Sequence, residues 1–230
     1  MSQQHNNSPD LTVDSALREA IAQRLSRFEA RSIDANGKKH AAVAIVIVDR
    51  QRDTRFADID FNEADADQAA FVLTIRASKL KTHGGQRAFP GGRMDPGETS
   101  LQAALRETRE EIGLDLNESS VLGRLDDYAT RSGFVMTPYV VWGGRDCEFT
   151  ANPGEVESIH RIPVTELMRE DAPLLDTIPE SEHPVLRMPL GRDEWVAAPT
   201  GAIAYQFSEV AIQGRHTRVA HFEQPVFAWK

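Results

Sequence analysis

Residues 84–113 read GGQRAFPGGRMDPGETSLQAALRETREEIG, and two different patterns meet inside this stretch. Glycines and prolines crowd the first half, where the backbone must turn tightly or approach another segment closely. A helical pattern then takes over. Leu101, Ala104, Leu105, Thr108 and Ile112 fall on one face at about 100° per residue. Thr99 or Ser100 can cap the start and Gly113 suits the position just past the end, so the spacing predicts a helix over 100–112.

Opposite the apolar stripe stand Glu107, Glu110 and Glu111, whose carboxylates emerge within about one turn of each other. Like charges at these spacings repel, and carboxylates in a last turn meet the negative end of the helix dipole; each effect costs a few tenths to about 1 kcal/mol. Arg106 and Arg109 offset part of that cost. An isolated pair of glutamates is ordinarily a solvated face. Several local rules broken together instead mark a functional site. Clustered carboxylate oxygens are natural ligands for hard divalent cations, Mg2+ or Mn2+, which in turn bind phosphate oxygens.

Outward from this stretch, residues 41–49 (AAVAIVIVD) and 71–77 (FVLTIRA) are short and rich in β-branched residues, the pattern of buried strands. Between them, residues 52–68 read as an acidic, solvated insertion. Leu17, Ile21, Leu25 and Phe28 form the stripe of an amphipathic helix over about 14–33, ending before Asp34, Asn36 and Gly37. Residues 1–11 are polar and aperiodic and read as a disordered tail, leaving 12–230 as one domain. Downstream, SSVLGRLDDYAT and FVMTPYVVWGG predict two strands, and EVESIHRIPVTELM a strand followed by a short helix. A C-terminal extension over about 183–230 carries strand-like pieces around Gly191. A helical stripe follows at Ile203, Phe207, Val210 and Ala211.

Composition narrows the function. The chain has 230 residues, 40% hydrophobic and 27% charged, which suits one globular domain with a sizeable core. No apolar run approaches the length of a membrane span, and the start lacks a secretory pattern. With a single cysteine, Cys147, no internal disulfide can form, so a cytoplasmic setting is expected. Twenty-six basic against 35 acidic residues give a net charge of -9, which argues against broad nucleic-acid binding. An anionic substrate then requires a local exception such as a metal ion.

The spacing from Gly92 to Glu98, to Arg106-Glu107, to Glu110-Glu111 and to Gly113 resembles the Nudix box, GX5EX7REUXEEXGU, where U is bulky and apolar. Every fixed position matches; Thr108, at the first U, is smaller and more polar than the pattern asks. The resemblance implies an α/β/α sandwich around a mixed sheet and an enzyme that hydrolyses a nucleoside diphosphate linked to another moiety. It implies Mg2+ or Mn2+ held by Glu107 and Glu111, with Glu110 as a further ligand or water activator. Glu98 would support the metal shell, Arg106 would orient the glutamates, and Gly91 and Gly92 would let the backbone approach metal and phosphate. The box does not fix the general base. Glu155 and Glu157, in the NPGEVES segment, are candidates, although each is more readily read as a solvated loop carboxylate.

Just upstream, residues 73–92 (LTIRASKLKTHGGQRAFPGG) resemble the LLTxRSxxLxxHxGQxxFPGG signature of the coenzyme A pyrophosphatase branch of Nudix enzymes. Arg76, His83, Gln86, Arg87 and Phe89 are the expected substrate-binding positions. Arg76, Lys79, Lys81 and Arg87 also gather positive charge in an acidic chain, as a phosphorylated nucleotide requires. Residues 200–230 lack the WG-containing ending associated with that branch; Phe222, Phe227 and Trp229 there suit core or dimer packing, or stacking on a base. The expected reaction is hydrolysis of coenzyme A, or a derivative, to 3′,5′-ADP and a 4′-phosphopantetheine product. Its rivals are cleavage of another diphosphate, such as ADP-ribose or NADH, and a non-catalytic nucleotide-binding module. The intact Glu107, Glu110 and Glu111 speak against the last. The expected partner is a nucleotide-type small molecule, with neither nucleic acid nor membrane; homodimerisation is compatible with the fold, though no residue pattern specifies it.

Overall fold

The computed structural model describes residues 10–51, 58–59, 61–79 and 84–229. In chain order its elements are helix α1 (Ser15–Arg27), strands β1 (Lys39–Asp49), β2 (Ala69–Arg76), β3 (Arg87–Ala88) and β4 (Gly91–Arg93), and helix α2 (Ser100–Ile112). Strands β5 (Val121–Arg124), β6 (Tyr128–Ala129), β7 (Phe134–Gly144), β8 (Val156–Pro163), β9 (Leu174–Asp176), β10 (Val185–Leu190) and β11 (Glu194–Ala197) follow, then helix α3 (Thr200–Phe207).

Strands β1 to β8 form one mixed sheet. At its centre β1 runs parallel to β7 and antiparallel to both β2 and β4. Strand β2 also pairs antiparallel with β3 and β8. Because strand side chains alternate between faces, the β1 run splits cleanly. Val43, Ile45 and Ile47 pack on one face with Leu17, Ile21 and Leu25 of α1 and Ile203 and Phe207 of α3. Ala44, Val46 and Val48 pack on the other with Ile112 of α2, while Ala42 meets Ala103 and Ala104. The result is an α/β/α sandwich, as the family resemblance implies. Strands β9 to β11 form a second, antiparallel sheet, and Leu186, Met188 and Leu190 of β10 join the α1/α3 side of the core.

Helix α2 spans the predicted residues. Thr99 accepts from the Gln102 N–H and Gln102 returns a bond to the Thr99 N–H, while Gly113 ends the helix at φ 72°. Thr108 is wholly buried, and its hydroxyl donates to the Ala104 carbonyl at 2.7 Å. The small polar residue therefore sits on the packed face of the helix with its hydroxyl satisfied.

Three expectations are corrected. Helix α1 stops at Arg27 rather than near 33, because residues 29–33 run beside residues 124–127: the Arg31 and Ile33 N–H groups donate to Asp126 and Asp127. Of the residues read as a tail, Leu11 is buried and its carbonyl accepts the Ala69 N–H at 2.7 Å; residues 1–9 lie outside the described residues. The strand read from SSVLGRLDDYAT breaks into β5 and β6, since Asp126 and Asp127 turn inward to bind these N–H groups and Arg218, Arg124 and Thr137. Strand β9 was not foreseen, and the predicted helix over 200–212 continues past α3 as a π turn at Ser208–Ile212. Of the 52–68 insertion, residues 52–57 and 60 lie outside the described residues. Among the described residues no helix is long and apolar enough to cross a membrane.

Candidate active site

Helix α2 lies across β4 where this strand enters the sheet between β1 and the diverging β2, and its glutamates converge on the Gly91-Gly92 backbone. Gly91 has φ 156°, and a Cβ there would stand 2.3 Å from the Ala42 carbonyl oxygen. A Cβ on Gly92 would stand 2.4 Å from Glu107 Oε1. Only glycines let strand and helix come this close.

Glu111 is 3% exposed. Its Oε2 accepts the Gly91 N–H at 3.0 Å, and Arg76 Nη1 lies 3.7 Å from its Oε1. Burial pushes its carboxyl up to about 7, against the lowering effects of the Gly91 N–H and Arg76, with Glu107 and Glu155 adding to the rise. Burial likewise raises Glu107, partly countered by Arg106.

Arg106 organises the acidic face. Its Nε and Nη2 donate to the two Glu98 oxygens at 2.9 and 3.1 Å, and Nη1 donates to Glu107 at 2.8 Å and Glu110 at 3.0 Å. Nη2 also donates to the Arg93 carbonyl at 3.0 Å. All five guanidinium N–H groups are used, which only an arginine can do. Hydrogen bonding from Arg106 holds the Glu98 carboxyl below its ordinary range.

The third carboxylate of the site comes from the loop between β7 and β8. Glu107, Glu111 and Glu155 each present an oxygen, and the three oxygens lie within 4.8 Å of one another. This donor set fits a hard divalent cation: it is all carboxylate oxygen, and a buried Glu111 is disfavoured as an anion until a cation compensates it.

The other expected site residues divide. Glu110 stands outside this group of three, held by Arg106 and half exposed. Glu157 points elsewhere and accepts from the Ser78 hydroxyl. Gln86 pairs through its backbone, its carbonyl accepting the Arg76 N–H at 3.0 Å. Arg87, expected to bind substrate, donates to Glu194 of β11. Phe89, expected to touch substrate, is corrected to a core residue: it is 2% exposed and its ring lies 6.1 Å from that of Phe71. His83, with Leu80 and Lys81, lies outside the described residues. Phe222 packs near Tyr205, Phe227 is 58% exposed, and the Trp229 side chain lies outside the described residues. Sequence reasoning missed the Arg76 contact with Glu111 and the Arg87–Glu194 pair.

The NUDIX domain model matches residues 38–180, and the chain belongs to this family of divalent-cation hydrolases, which act on nucleotide-type small molecules. It is 36% identical over 155 residues to the Nudix hydrolase NudL of Yersinia enterocolitica, covering 65% of this chain and 71% of that one. It is 41% identical over 103 residues to Nudix hydrolase 3 of Caenorhabditis elegans, covering 43% of each. Among solved structures, a NUDIX hydrolase from Nitrosomonas europaea aligns with 78% of this chain and 75% of its own, at a TM-score of 0.47 and 16% identity.

Proposed function

We propose that the chain hydrolyses the diphosphate of coenzyme A or a close derivative, giving 3′,5′-ADP and a 4′-phosphopantetheine product. The observation that carries this reading is the convergence of Glu107, Glu111 and Glu155 directly beside Arg76, which joins the Nudix box to the coenzyme A-type signature in one place. Held by these three carboxylates, Mg2+ or Mn2+ supplies charge neutralisation at the diphosphate and polarisation of the attacking water.

The protein's own groups do the rest. Arg106 holds Glu98, Glu107 and Glu110 in place ahead of the reaction. The Gly91 N–H fixes Glu111. Glu110, outside this group of three and half exposed, would take the proton from water, while Glu155 completes the cation site. Water oxygen bonds to one phosphorus, the bridging P–O bond breaks, and the second phosphate leaves with the bridging oxygen. Arg76 and the exposed Lys79 supply cationic character toward the phosphates.

A second reading, hydrolysis of another diphosphate such as ADP-ribose or NADH, is favoured by one observation: Arg87 is engaged by Glu194 and Phe89 is buried, so two of the five expected substrate-binding residues are committed to structure. A panel of coenzyme A, dephospho-coenzyme A, ADP-ribose and NADH, with products resolved by mass, separates the two. The expected result is preference for coenzyme A with release of 3′,5′-ADP. Preference for ADP-ribose or NADH would select the second reading.

A further inference from the structure

Glu107 and Glu111 share a helix, but Glu155 reaches them from a loop, so its place depends on what holds that loop. The loop's far end is fixed by a buried ion pair. Arg161 of β8 donates to Asp49 Oδ1 at 2.8 Å and to the Asp49 carbonyl at 2.7 Å, and also to the Cys147 carbonyl. Its guanidinium lies 4.6 Å from the centre of the Phe149 ring. The middle of the loop is fixed on α2, at carbonyls that a helix end leaves without intrahelical partners. The Thr150 N–H donates to the Ile112 carbonyl at 2.9 Å, and the Asn152 N–H donates to the Glu111 carbonyl at 3.0 Å.

Beyond Asn152 only a short turn remains before Glu155, and Asn152 closes it. Its Oδ1 accepts the Gly154 N–H at 3.0 Å, and its carbonyl accepts from the Glu155 N–H at 3.0 Å and the Val156 N–H at 2.8 Å. The fit is tight: a Cβ on Gly154 would stand 3.1 Å from Asn152 Oδ1. On the far side, the Glu155 carbonyl accepts the Ala77 N–H at 2.8 Å, one residue from Arg76.

We propose that Asn152 is a positioning residue for the cation site. Its backbone holds the carbonyl of Glu111 and its side chain closes the turn that carries Glu155, so one residue sets the spacing between two carboxylates that lie 44 residues apart in the chain, from 111 to 155. The inference rests on the reading of Glu107, Glu111 and Glu155 as cation ligands. Because the loop is pinned on both sides of this turn, loss of the Oδ1 bond releases the turn alone and leaves the fold in place.

The test is Mn2+ titration of the full-length chain, read from the spin-resonance signal of free Mn2+, beside thermal unfolding without metal. Asn152→Ala is expected to bind Mn2+ about tenfold more weakly, as outer-sphere changes do, with its unfolding midpoint within about 3 °C of wild type. Asn152→Ser restores most of the affinity, because a hydroxyl can accept the same bond. Gly154→Ala crowds the same contact from the other side and weakens binding too. Wild-type affinity in Asn152→Ala overturns the proposal, as does a serine variant no better than the alanine one. Should Asn152→Ala fail to fold, unchanged binding by Gly154→Ala overturns it. Failure of the wild-type chain itself to bind Mn2+ would instead remove the cation site on which the inference stands.

Discussion

Gly92 faces Glu107 so closely that a single added carbon would stand 2.4 Å from the carboxylate oxygen. The backbone of Gly92 does not occupy the left-handed region, so alanine is conformationally tolerated there. Gly92→Ala should therefore fold, displace Glu107, and lower turnover about 100-fold, the scale of an ångström's misplacement in an active site. Steady-state kinetics beside a urea unfolding curve checks both halves; normal turnover would mean that Glu107 is not where the chemistry depends on it.

Arg106→Lys replaces five directed N–H groups with one ammonium. Glu98, Glu107 and Glu110 then lose their common partner, and the fold should weaken by about 1–3 kcal/mol. Turnover should fall about 10- to 100-fold, as for other groups that orient ligands. Equilibrium denaturation separates the two effects, because a purely structural arginine would change stability and leave the turnover of the folded enzyme intact.

Glu111 gives a pH signature. Burial raises its carboxyl from the ordinary value near 4.5 to about 7, so the metal-free protein draws stability from it fully below the ordinary value, and loses that stability as pH rises through about 7. A bound cation reverses the preference by favouring the carboxylate. The rise in unfolding temperature on adding Mn2+ should be larger at pH 8 than at pH 6, and Glu111→Gln should abolish that difference.

A second pH effect lies away from the site. Arg131 donates to both oxygens of Glu223 and, as the largest cause, pulls its carboxyl down to about 2. The lowered group contributes stability above the ordinary value near 4.5, and that stability is lost as pH falls from there toward 2. Acid unfolding followed by circular dichroism should show a shallower pH dependence in Glu223→Gln over this window. An unchanged slope would show that the C-terminal segment is not held by this pair.

How much of this the sequence carries depends on how local each signal is. Helix α2 is legible to the residue because its signals lie within it: Thr99 with Gln102 at one end and Gly113 at the other. The end of α1 is not, since the bonds that hold residues 31–33 outside the helix come from Asp126 and Asp127, more than 90 residues on. The acidic face of α2 announces a site, yet the third carboxylate could only be a candidate. Glu155 acquires its place from Asn152 and Ala77, and nothing in its neighbours' types states that meeting. Phe89 shows the limit of a motif: the pattern marks a position, whereas the packing of this ring near Phe71 decides that it enters the core. The Arg87–Glu194 pair spans 107 positions and reaches outside residues 38–180, so neither motif could contain it.

The most direct test of the account is turnover of coenzyme A with Mn2+ by wild type and Glu111→Gln, with products identified by mass. The account predicts 3′,5′-ADP from the wild-type chain and a loss of several orders of magnitude in the variant, whose fold is intact because the change removes a buried charge rather than a packed group. Near-normal release of 3′,5′-ADP by Glu111→Gln would contradict it.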